Sequence, residues 1–63
     1  MSLIEDLRQA RRAKLEQIAL LSSGQLVTIL NGIDVSGATL SQEREEVEMI
    51  EAVLREFGVT VAE

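Results

Sequence analysis

The stretch Leu26-Val27-Thr28-Ile29-Leu30-Asn31-Gly32-Ile33-Asp34-Val35 decides how this chain folds. Two apolar runs flank Asn31-Gly32, and a two-residue Asn-Gly loop supplies the positive φ angles that a type I′ turn requires. That turn matches the twist of paired strands, so the segment reads as a β-hairpin over about residues 25–36, its first strand running from about Gln25 to Leu30. In this register Leu30 pairs with Ile33 and Thr28 with Val35 on one face, while Val27 and Ile29 lie on the other beside Asp34 and Ser36. The first strand is apolar on both faces, unlike a hairpin with one face in water. A lone hairpin is marginal, so one face is expected to cover helices. The other, bearing Val27 and Ile29, is a candidate contact between subunits. The competing reading wraps these residues onto the helix ends.

Helical patterns lie on both sides. Ser2-Leu3-Ile4-Glu5 fits a capping box that opens a helix over about residues 3–22. Glu5 and Asp6 suit the positive end of its dipole. Leu3, Ile4, Leu7, Ala10, Leu15, Ile18 and Leu21 form its apolar stripe, interrupted by Arg11 and Lys14. Two readings of that interruption stay open. The stems lie on apolar surface with their charged heads in water, or the helix presents the charges to a partner. Gly24 stops the helix in the left-handed conformation that a C-terminal cap favours.

After Gly37 and Ala38, Thr39-Leu40-Ser41-Gln42 fits a second capping box, opening a helix over about residues 40–57. Leu40, Val47, Ile50, Val53, Leu54 and Phe57 form its stripe, and Arg44 is placed to pair with Glu48 one turn on. Gly58 closes it, with Val59 set to meet Leu54 as in a Schellman motif. The short tail 59–63 either frays as a terminus or adds its β-branched residues to a sheet edge. The order is helix, hairpin, helix in one domain of 63 residues, an α+β chain.

The net charge of −5 is unevenly placed. Residues 1–21 carry +1, through Arg8, Arg11, Arg12 and Lys14 against three acids. Residues 42–63 carry −5, with Glu43, Glu45, Glu46, Glu48 and Glu51 in one run. These are either two solvated helix faces, or one subunit's acidic helix facing a neighbour's basic one.

Composition excludes much chemistry. There is no cysteine, so neither a disulfide framework nor a thiolate metal site is available. There is no histidine, which removes the commonest general base and metal ligand. Ser22, Ser23, Ser36, Thr39 and Ser41 sit where caps and turns want them. Carboxylates at Glu-x-x-x-Glu spacing on a surface helix hold a cation weakly. The glycines mark separate turns rather than a phosphate loop. No catalytic residue, cofactor or metal ligand is assigned, and the expectation is a protein that is not an enzyme. An acidic chain disfavours sequence-specific nucleic-acid binding. No segment approaches the roughly 18 apolar residues of a membrane span, and Met1 to Ala10 lacks the apolar core of a signal peptide. A soluble protein made in the cytoplasm is expected.

The stretch Glu5-Asp6-Leu7-Arg8-Gln9-Ala10-Arg11-Arg12-Ala13, Gly24 before the first strand, the Asn31-Gly32 turn, Thr39-Leu40-Ser41 and Gly58 together resemble the small head-to-tail joining protein W family of lambda-like tailed phages, over about residues 4–58. The resemblance implies two antiparallel helices packed against a two-stranded hairpin. It implies a virion protein of the neck, assembled in the host cytoplasm, that forms an oligomeric ring joining portal to tail and helps retain packaged DNA. Its partners would be other copies of itself, the portal and the next neck protein. In that setting Val27, Ile29, Val59 and Val61 are the candidate subunit interface, and Arg8, Arg11, Arg12 and Lys14 the candidate portal or channel contacts. A small dimeric regulatory or adaptor module, without catalytic activity, is the alternative.

Overall fold

A computed structural model describes residues 2–61 and contains helix α1 (Leu3–Ser23), strands β1 (Ile29–Leu30) and β2 (Ile33–Asp34), and helix α2 (Ser36–Glu56). The order is the one the sequence predicts. The Ser2 hydroxyl accepts from the Glu5 N–H at 3.1 Å and starts α1. Gly24, at φ 81°, closes it. The Gly24 and Gln25 N–H groups return to the carbonyls of Leu21 and Leu20, the Schellman arrangement.

β1 and β2 are antiparallel, with Ile29 opposite Asp34 and Leu30 opposite Ile33. The Val35 N–H adds a rung to the Thr28 carbonyl at 2.9 Å. Asn31 and Gly32 have φ 51° and 80°, as the type I′ turn demands. The strands are shorter than expected. Gln25 and Leu26 both donate to the Leu20 carbonyl, so this stretch still serves the end of α1 and cannot join the ladder. A Cβ at Gly32 would meet no neighbouring atom, so the effect of Gly32→Ala is backbone strain alone. It should cost about 1 kcal/mol, read as a lower urea midpoint with an unchanged slope.

The larger correction concerns the start of α2. The helix begins at Ser36, not near residue 40, and Thr39 is an interior residue rather than a cap. The N-cap is Val35, without a side-chain capping bond, and the residue before it, Asp34, accepts from the Ser36 N–H at 2.9 Å through its Oδ1. The Thr39 hydroxyl instead donates back to the Val35 carbonyl at 3.0 Å and shares a hydrogen bond with the Thr28 hydroxyl at 2.9 Å. Gly37 and Ala38, expected as a lead-in, form the first turn. At the far end the expected Schellman motif is present, with Gly58 donating to Arg55 and Val59 to Leu54, each at 3.0 Å.

The helices pack antiparallel along a narrow seam. On α1 the covered positions include Ile4, Leu7, Arg11, Lys14, Ile18 and Leu21, and on α2 Leu40, Glu43, Val47, Ile50 and Leu54. Both sets step by alternating threes and fours, the 3.5-residue period of a coiled-coil seam. A seam this narrow leaves expected stripe members on its shoulders: Leu3, Leu15, Val53 and Phe57 are exposed. Among the described residues the buried apolar core consists of Leu21, Val47 and Leu54. The pair is rod-like, about 42 Å by 20 Å by 17 Å.

Candidate functional site

Two surfaces hold the residues that the sequence singles out, and they lie towards opposite ends of the rod. The first is the hairpin. Val27, Ile29, Leu30 and Ile33 are 52, 59, 62 and 65 % exposed. The expectation that one face of the hairpin covers the helices is therefore wrong for the strands themselves. Only the base reaches them, through half-buried Thr28 and Val35. The reason is the early start of α2. With Ser36 already helical, two residues remain in each strand, and the Leu30–Ile33 pair projects beyond the helix ends. Val27 and Ile29 do not wrap onto the helices either. The hairpin thus carries apolar side chains on both faces with nothing over them.

The second surface is an open cleft of about 580 Å³. Leu15 and Leu54 line it with Val59 and Val61, and Arg8, Arg11 and Arg12 stand around them. The tail leaves Gly58 and runs beside α1, with Val59 and Val61 half-buried. Residues 59–61 do not join the sheet, which holds β1 and β2; Ala62 and Glu63 lie outside the described residues. The four candidate interface residues are therefore split, Val27 and Ile29 at the hairpin and Val59 and Val61 at the cleft.

The basic candidates also divide. Arg11 and Lys14 fall on the seam, where both open readings placed them at water or a partner. They meet α2 carboxylates instead. The Arg11 Nε lies 2.8 Å from Glu51, their side chains 14 and 18 % exposed. The Lys14 Nζ lies 2.9 Å from Glu46 and 3.3 Å from Glu43. The complementary charge of the two halves is thus met in part within one chain. Arg8 and Arg12 are exposed and form no ion pair among the described residues. The expected Arg44–Glu48 pair is absent there too; the one-turn pair on α2 is Glu51–Arg55, at 3.8 Å.

The pairing at Lys14 has a pH signature. The hydrogen bond to Glu46 raises its pKa above the ordinary 10.5, with Glu43 adding to this and desolvation opposing it. Asp34 is shifted the other way, below 3.8, by the Ser36 hydroxyl and then the Ser36 N–H. A raised cationic pKa stabilises fully below 10.5 and fades as pH climbs through the folded value. A lowered carboxylate pKa stabilises fully above 3.8 and fades as pH falls through the folded value. Urea midpoints across pH should show both losses. Lys14→Met should flatten the alkaline limb, and Asp34→Asn should reduce the acid one.

No cluster of three or more potential metal-ligating side chains occurs among the described residues. No helix there is long and apolar enough to cross a membrane. In comparisons with protein-family models, curated proteins and solved structures, nothing matches this chain.

Proposed function

We propose that this chain is a non-catalytic structural protein of the head-tail connector of a tailed phage. Copies of it would form a ring between the portal and the next neck protein, in the virion neck, and help retain packaged DNA. The observation that carries the self-assembling part is the bare hairpin, a projecting apolar surface on a molecule with three buried apolar residues among those described. An apolar patch rimmed by polar residues marks a contact with another protein, and a domain this small gains stability from association. The helix, type I′ hairpin and helix, with the glycine stops at Gly24 and Gly58, agree with the joining-protein family that the sequence resembles. Arg8 and Arg12 are the basic residues left to face a portal or channel wall.

Light scattering after size exclusion, with the chain alone and then with a portal ring, tests the reading. Incorporation into a portal-bound ring supports it. A tight dimer that ignores the portal overturns it in favour of a regulatory or adaptor module. Val27→Asp should abolish assembly while leaving helical circular dichroism unchanged, because Val27 is already half in water. Normal assembly by that variant would remove Val27 from the interface.

A further inference from the structure

We infer that copies associate head to tail, the hairpin tip of one chain, Leu30 and Ile33, entering the Leu15–Leu54–Val59–Val61 cleft of the next. The inference deepens the self-assembly part of the connector reading and rests on it. Three observations converge on a second copy as the occupant. The tip is the most exposed apolar element of the hairpin and projects past the helices. The cleft has an apolar lining, and its volume of about 580 Å³ lies in the range of about 300–1,000 Å³ that accepts a small ligand or a few side chains. Charge also matches. The one charged residue on the hairpin is Asp34, exposed beside Ile33. The cleft carries Arg8 and Arg12, which have no carboxylate within ion-pair distance among the described residues. Docking the tip would set an acid against those cations while burying apolar surface from both partners.

The two surfaces differ and lie towards opposite ends of the rod, so the contact is heterologous. Such contacts build a ring when the rotation closes and a filament when it does not. A face-to-face pairing of two hairpins would instead stop at a dimer and leave the cleft empty.

The absence of cysteine makes a direct test available. Ile33→Cys and Val59→Cys are mixed under oxidising conditions, each first shown to keep wild-type helical dichroism. The expected product is the mixed disulfide between residues 33 and 59, well above both homodimers. The double variant should give a ladder of covalent oligomers. Adding Asp34→Arg to the Ile33→Cys chain should lower the initial rate of mixed cross-linking about tenfold. Pairing that chain with Arg8→Glu/Arg12→Glu in the Val59→Cys chain should restore much of it. Homodimers of Ile33→Cys in excess, or a statistical mixture of the three products, overturns the inference. The portal experiment reads separately. Portal capture without 33–59 cross-links leaves the connector reading standing and this contact refuted, and cross-links without portal capture do the reverse.

Discussion

Leu54→Ala should leave most of the chain unfolded at room temperature. Leu54 is 1 % exposed and is, among the described residues, the most deeply buried side chain of a core it shares with Leu21 and Val47. Truncating a buried leucine to alanine removes about 2–5 kcal/mol. A single core in a chain below about 70 residues rarely supplies more than about 3–5 kcal/mol in total. The loss is therefore comparable with the whole stability. Far-UV circular dichroism should show a collapsed helical signal without a folded baseline in urea. Leu54→Met, which keeps volume and apolarity, should retain a cooperative transition within about 1.5 kcal/mol of the parent. A Leu54→Ala chain with a near-normal midpoint would mean that the stability resides elsewhere than in this seam.

The second large effect concerns the ionic layer. Glu51→Leu removes the carboxylate that Arg11 meets at 2.8 Å in a largely covered position. Because both side chains keep some solvent contact, the expected loss is about 1–2 kcal/mol rather than the larger figures for fully buried pairs. Replacing both, Arg11→Leu with Glu51→Leu, should recover the loss and reach or exceed parental stability, since apolar contacts avoid desolvating two charges. A double-mutant cycle in urea measures the coupling. The double variant should also lose discrimination. Polar seam residues fix which positions face each other, so a seam left with the Lys14–Glu43–Glu46 group as its polar contact should admit more helix-swapped species, visible by size exclusion. A double variant less stable than either single one would contradict this account.

These effects connect to what could be read from the sequence. Ser2, Gly24, Asn31-Gly32 and Gly58 all act as their local chemistry predicts, because each works through bonds to residues a few places away. The start of α2 was not legible in the same way. Thr39-Leu40-Ser41-Gln42 carries a capping pattern, and Gly37 weakens a helix by about 1 kcal/mol relative to alanine. Both favour a late start. What overrides them is the base of the hairpin: the Ser36 N–H donates to Asp34 and the Ser36 hydroxyl accepts the Thr28 N–H across the hairpin, each at 2.9 Å. The interface candidates illustrate a second limit. Spacing identifies Arg11 and Lys14 as breaks in an apolar stripe but does not say what faces them. The signal was present on the other helix, where positions 40, 43, 47, 50 and 54 keep a 3.5-residue period that makes Glu43 a seam residue. Of the cleft, the sequence shows the meeting of Val59 with Leu54 but not the path of residues 59–61 beside α1, which brings them to Arg8, Arg12 and Leu15.

The bonds at the base of the hairpin also decide how the molecule bears load. Thr28 is tied to Ser36 and Thr39, Asp34 to Ser36, and Val35 to Thr39. Their helical partners all belong to α2. The hairpin is therefore the butt of a strut, about 31 Å long at 1.5 Å per residue, whose other end carries Leu54 and the turn at Gly58. The link to α1 is the short run from Gly24 to Val27, whose Gly24, Gln25 and Leu26 N–H groups bind back to the last turn of α1. Tension applied at the hairpin passes along α2, and α1 acts as the splint that keeps it from bending.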